Sequence, residues 1–187
     1  MTLADQLAAV VAQLRRSTVQ VRGRGAAAGS GSGIVWKPGV IVTNAHVATK
    51  GFTLVEPADG SVREARVVAS DPRRDLAVLG VDTTGLTPAD IAPAGTLRVG
   101  SLVLAVGNPF GLSGAVTTGI VHKLSERRRR TRLILADVRL LPGNSGGPLG
   151  DAAGRVVGVN AMILRGLAAA IPSDVVERFV REAQLAA

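Results

Sequence analysis

Short apolar runs recur about every ten residues through most of this 187-residue chain, with Gly, Pro, Asp and Asn between them. They are Thr18–Val21, Gly33–Trp36, Val40–Thr43, Thr53–Val55, Ala65–Ala69, Leu76–Val81, Ser101–Val106, Gly119–Val121, Leu133–Leu135, Pro148–Leu149, Val156–Val159 and Ala168–Ile171. That rhythm predicts an all-β sandwich or barrel. Two segments break it. Across residues 4–16, Leu7, Val10, Val11 and Leu14 fall on one helical face. Across 173–185, Val175, Val176, Phe179 and Val180 do the same, with Ser173 or Asp174 as N-cap after Pro172. The expectation is a β-rich single domain with a helix at each end. Its length suffices for a sizeable core.

Composition narrows the chemistry. There is no cysteine, which excludes disulfides, thiol nucleophiles and thiolate metal sites. The two histidines, His46 and His122, make a multi-histidine zinc site a poor expectation, and no cofactor is called for. The formal net charge is +8, from 22 Lys and Arg against 14 Asp and Glu. Anionic partners therefore enter as candidates. Only Trp36, Phe52, Phe110 and Phe179 are aromatic, which leaves little for base stacking. No run approaches the roughly 20 apolar residues of a membrane span. The N-terminus does not read as a signal peptide, because Asp5, Gln6 and Gln13 interrupt it and Arg15 and Arg16 follow the apolar stretch.

The strongest local signal is Pro142-Gly143-Asn144-Ser145-Gly146-Gly147-Pro148-Leu149. A serine hydroxyl is a weak nucleophile until a base removes its proton. It also needs N–H groups aimed at the developing oxyanion. Glycines around Ser145 allow the tight turn that gathers such groups, with Gly143 and Ser145 as donors and Asn144 as a third. A plain Gly-rich turn has the same letters. Of the two histidines, His46 ends a predicted strand. His122 lies beside Lys123 and the arginine run, a positively charged stretch. His46 is the better base and His122 a bystander. Asp75, opening the run Leu76–Val81, is the carboxylate available to orient His46. The order His46, Asp75, Ser145 is the chymotrypsin order and differs from the subtilisin and α/β-hydrolase orders.

Several motifs in sequence order carry a resemblance. They are Gly31-Ser32-Gly33, Thr43-Asn44-Ala45-His46-Val47, Asp71 through Leu79, Ala105 through Leu112, Thr117 through Val121, Gly143 through Leu149, and Ala170-Ile171-Pro172-Ser173. Together they resemble the trypsin-like serine protease domain of the HtrA/Deg family, from about Leu7 to Val180. The resemblance implies a chymotrypsin-like double β-barrel with an N-terminal and a C-terminal helix. Its halves would span roughly 17–95 and 96–172, followed by the helix 173–185. It implies a serine endopeptidase that cleaves polypeptides, with a role in protein quality control. The alternative is a resting or inactive protease scaffold that binds polypeptide, its Arg127–Arg130 loop contacting anionic partners.

The family's pocket for P1, the substrate residue before the scissile bond, points to Arg139, Leu140 and Leu141. Its substrate-pairing strand points to Gly166, Ala168 and Ala169. Leu140 suits a small aliphatic P1. Arg139 turned inward would select an acidic one, and turned to solvent would leave the pocket apolar. Arg127–Arg130, extended by Arg132, reads as a solvated loop tip or as a weak, salt-sensitive anchor without sequence-specific nucleic-acid binding. Relatives usually continue into a PDZ domain, and none is expected here. Residues 1–35 lack the aromatics that trimeric relatives use, which leaves monomer and trimer open. With no leader or anchor visible the chain reads as cytoplasmic, although the resembled family is usually periplasmic or in the cell envelope.

Overall fold

The computed structural model describes residues 2–23, 30–48, 51–125 and 132–185. Helix α1 (Leu3–Arg16) starts at a capping box. Asp5 N–H donates to Thr2 Oγ1 at 3.2 Å and Thr2 N–H returns to Asp5 Oδ2 at 2.8 Å. Leu7, Val10, Val11 and Leu14 are its more buried face, as the spacing predicts. Leu14 is the anchor. It seats on Gly150, where a Cβ would come within 2.5 Å of its Cδ1.

Among the described residues twelve strands follow, matching the twelve apolar runs in order. Strands β1 (Thr18–Arg22), β2 (Ser30–Lys37), β3 (Val40–Thr43), β4 (Phe52–Glu56), β5 (Arg63–Asp71) and β6 (Leu76–Gly80) close one antiparallel barrel in the order β1-β2-β3-β6-β5-β4. Strands β7 (Leu102–Gly107), β8 (Ala115–Leu124), β9 (Ile134–Ala136), β10 (Pro148–Asp151), β11 (Val156–Leu164) and β12 (Leu167–Pro172) close a second, in the order β10-β11-β12-β9-β8-β7. Closure leaves neither sheet with a long open edge. Helix α2 (Ser173–Leu185) then packs Val176, Phe179, Val180 and Ala183 onto the barrels. Among the described residues, no helix is long and apolar enough to cross a membrane.

Strand runs without alternation are explained by three apolar layers. In β6, Ala77 and Leu79 fill the first barrel, where they join Val19, Val35 and Ile41. Its Leu76 and Val78 face outward into a layer between the barrels. In β7, Val103 and Ala105 fill the second barrel while Leu104 and Val106 enter that same layer. Leu14 of α1 and Phe179 of α2 complete it. A strand buried on both faces reads as a continuous apolar run. Each fully buried Leu or Val stabilises by about 1.5–3 kcal/mol before entropy is counted.

Candidate active site

Strand register brings His46 and Asp75 together. β3 and β6 pair antiparallel with Thr43 opposite Ala77, so the chain leaving β3 passes the chain entering β6. Asp75 is held in the left-handed region at φ 54°, which short polar residues tolerate better than others. Asn44 Nδ2–H donates to the Asp75 carbonyl at 2.8 Å. Asp75 Oδ1 accepts the His46 backbone N–H at 3.1 Å. Its carboxylate faces His46 Nδ1 at 2.8 Å from Oδ2 and 3.0 Å from Oδ1. An acceptor-only carboxylate fixes the tautomer: Nδ1 carries the proton and Nε2 is left as a base. The Asp75 hydrogen bond, helped by its charge, raises the His46 pKa above 6.5, against a smaller downward pull from partial burial. The imidazole is half exposed at 51 %. His122 lies on β8 of the second barrel, exposed to solvent.

Ser145 sits in the turn leading into β10. Gly143 and Gly146 have φ of +105° and +85°. A Cβ at Gly143 would meet Asn108 O at 2.5 Å, and one at Gly146 would meet Ser32 O at 2.1 Å. Only glycine satisfies both demands at these positions. Five successive carbonyls of the turn, Leu141 through Ser145, are occupied. Leu141 O accepts from Asn144 N–H at 3.0 Å, Pro142 O from Phe110 N–H at 3.3 Å and Asn144 O from Gly147 N–H at 3.1 Å. Gly143 O accepts from the Ser32 hydroxyl at 2.7 Å, and Ser145 O from Ser32 N–H at 2.7 Å. Since a trans peptide points its N–H opposite its carbonyl, this fixes the N–H directions too. Among the described residues, the Gly143 and Ser145 N–H groups have no acceptor, whereas that of Asn144 is spent inside the turn.

The two regions meet at Gly31. A Cβ there would lie 2.7 Å from the Val47 side chain and 2.9 Å from Ser145 O. The Ser145 hydroxyl donates to Ala161 O at 3.2 Å, and no hydrogen bond joins it to His46 among the described residues. No sequence motif gives Ser32, Asn160 or Ala161 a role in the site. Asn160 braces the turn through three bonds: its carbonyl accepts Gly146 N–H at 2.8 Å, its N–H donates to Gly147 O at 2.9 Å, and its Nδ2–H donates to Pro148 O at 2.9 Å. A fully buried Asn and a fully buried Ser beside glycines are the signal for such braces, but burial is not written in the sequence.

The residues expected to line a substrate site divide. Leu140 is 8 % exposed and packs with Ala168 in the second barrel's core, while Leu141 is half-buried. Arg139 is exposed, and its carbonyl accepts from Thr117 Oγ1 at 2.9 Å. The expectation of a substrate-pairing strand at Gly166, Ala168 and Ala169 is corrected. β12 lies between β11 and β9, with Ala168 opposite both Ile163 and Ala136 and Ala169 opposite both Met162 and Leu135. Its backbone has no free edge there. Gly166 is at the tip of the β11–β12 hairpin with Arg165, both at positive φ. The free edge belongs to β11. Its pairing with β10 ends at Val159; Ala161, beside Ser145, is the bulge in its pairing with β12, and Met162 through Leu164 pair with β12 only. The run Arg127–Arg130 lies outside the described residues; Arg132 forms an ion pair with Asp174 of α2. A cavity of about 80 Å³ lies elsewhere, among Leu97, Leu124, Leu133 and Ser173, and none of His46, Asp75 and Ser145 lines it.

Residues 31–159 match the family model described as a trypsin-like peptidase domain. The chain is 40% identical over 166 residues to the serine protease HTRA1 of Xenopus laevis, covering 83% of this chain and 36% of that one. It is 42% identical over 156 residues to a probable periplasmic serine endoprotease, DegP-like, of Pseudomonas savastanoi, covering 78% and 33%. Among solved structures it resembles the serine endoprotease from Yersinia pestis, with a TM-score of 0.87 at 32% identity over 98% of this chain and 67% of that one. It also resembles the HtrA-type protease AlgW with a tripeptide, with a TM-score of 0.86 at 31% identity over 93% and 62%. The chain spans about a third of the length of the curated relatives it matches.

Proposed function

The chain belongs to the trypsin-like peptidase domain family, with the HtrA/Deg proteases as its relatives, and from that premise we propose that it is a serine endopeptidase acting on polypeptides. The observation that carries the proposal is the pair of unclaimed N–H groups, Gly143 and Ser145, flanking a hydroxyl in a turn that abuts the His46–Asp75 corner. Ser145 Oγ attacks the scissile carbonyl. His46 Nε2 takes the hydroxyl proton and returns it to the leaving amine. Asp75 holds the imidazole and stabilises its charged form. The two N–H groups receive the oxyanion. Water then repeats the sequence on the acyl-enzyme, with His46 again as base.

The substrate adds as a strand to the free edge of β11 at Ala161–Leu164. A substrate N–H taken by Ala161 O displaces the Ser145 hydroxyl from that carbonyl and frees it to turn to His46. With Arg139 exposed to solvent and Leu140 buried, the pocket favours small aliphatic P1 residues over acidic ones. Removal of misfolded chains suits such broad selectivity. A second reading, a scaffold that binds polypeptide without cutting it, draws on the same Ser145–Ala161 hydrogen bond.

A P1-varied peptide library separates the readings. Cleavage after Val, Ala or Leu that disappears in Ser145→Ala supports the endopeptidase. Peptide binding with equal retention by both proteins and no cleavage supports the scaffold. A strong Asp or Glu preference overturns the apolar pocket.

A further inference from the structure

Between helix α1 and the Ser145 turn runs an unbroken series of hydrogen bonds. Arg15, in the last turn of α1, donates from Nε to Gly114 O at 2.6 Å. Gly114 N–H donates to Asn108 Oδ1 at 2.9 Å. Asn108 donates to Ser32 Oγ from its backbone N–H at 2.9 Å and from Nδ2 at 3.3 Å. Ser32 Oγ–H donates to Gly143 O at 2.7 Å. The contributors lie far apart in sequence, in α1, in the loop after β7, in β2 and in the Ser145 turn.

The inner links leave Ser32 no choice. A hydroxyl has one proton and two acceptor lone pairs. Both Asn108 donors fill the lone pairs, so the proton must go to Gly143 O. Ser32 is fully buried and Asn108 is 2 % exposed, so water does not compete for these bonds. Gly143 O and Asn144 N–H belong to one peptide, and the second end is fixed on Leu141 O. That peptide pins the C-terminal side of the Gly143 Cα, while the Phe110 N–H bond to Pro142 O pins the preceding peptide, which carries the Gly143 N–H. The outer link is equally specific. Gly114 has φ +65°, and a Cβ there would meet Arg15 Nε at 3.0 Å, so the arginine occupies the space a side chain would need.

We propose that the N-terminal helix sets the oxyanion turn through the relay Arg15–Gly114–Asn108–Ser32–Gly143, with Ser32 and Arg15 as positioning residues. Seating of Leu14 on Gly150 docks α1, docking aims Arg15, and the relay pins the Gly143 Cα, from which the Gly143 N–H is aimed. The proposal rests on the endopeptidase reading, but part of its test does not.

The experiment compares wild type, Ser32→Ala, Arg15→Ala and Arg15→Lys. Three quantities are read: kcat and KM on a peptide substrate, the affinity of a peptide boronate that adds to Ser145, and amide exchange of residues 141–147. Ser32→Ala should lower kcat and boronate affinity together by about 10- to 100-fold, less than the loss of an oxyanion donor itself. KM should stay level. Arg15→Ala, a surface change that does not threaten folding, should lower both by about fivefold and speed exchange at Asn144. Arg15→Lys should recover, since one donor suffices for Gly114 O. Arg15→Ala with wild-type kcat, boronate affinity and exchange overturns the relay. Equal losses in Arg15→Ala and Arg15→Lys overturn it as well. A wild type that neither turns over nor takes the boronate defeats the endopeptidase reading instead, and the exchange comparison still decides the relay.

Discussion

His46 is held by a side chain, and Ser145 by its backbone. At the first barrel's corner, one carboxylate accepts both the imidazole and the backbone N–H of His46, in a half-exposed setting. At the second barrel's turn, five carbonyls are occupied, two glycines sit at positive φ, and neighbouring backbone stands where any Cβ would go. The first region is therefore governed by charge and pH. The second is governed by space and peptide orientation. The proposed chemistry needs both, and each fails in its own way.

The strongest test of their partnership is non-additivity. His46→Ala and Ser145→Ala should each lower kcat by about 10⁶, and the double variant should lose no more, as for groups that act as one unit. Additive losses measured by steady-state kinetics would break the comparison into two unrelated regions. Next comes the charge of the corner. Asp75→Asn should cost about 10⁴ in kcat by favouring the wrong tautomer. It should also move the pH profile. His46 must be neutral to act, and its pKa is raised above 6.5 by Asp75, so wild-type kcat/KM should climb with pH through a midpoint above that value. In Asp75→Asn the midpoint should fall.

The same pair acts on stability with a definite sign. A raised folded-state pKa adds stability that is fully present below the unfolded value of 6.5 and is lost as pH rises through the folded value. Denaturant titrations of wild type and Asp75→Asn should therefore converge above that range. The half exposure of His46 keeps the gap small.

The turn should respond to size alone. Gly143→Ala should reduce kcat by about 10²–10³ through a misplaced donor, with no shift in the pH midpoint. A pH shift in this variant would mean that the two regions share their electrostatics. The smallest effect is expected at Arg139. Arg139→Ala should change kcat/KM on a valine P1 substrate by less than about twofold, because an exposed guanidinium adds little.

The two regions also differ in how legible they were. His46 stands out by scarcity, as one of two histidines in a chain without cysteine. Asp75 and Ser145 followed from chain order and the glycines. The strands were legible because β6 and β7 are buried on both faces and keep their apolar runs unbroken. What stayed hidden depends on long-range pairing. The side on which β11 is free is set by where β10 stops, so its edge at Ala161–Leu164 was misplaced onto β12. The Ser32 hydroxyl finds its acceptor 111 residues away, and no local pattern announces that.

Covalent labelling by a fluorophosphonate tests the central claim most directly. The account predicts one label per chain, mapped to Ser145, rising with pH as His46 loses its proton and lost in both Ser145→Ala and His46→Ala. Labelling at another residue, or none across the pH range with peptide bound, would contradict it.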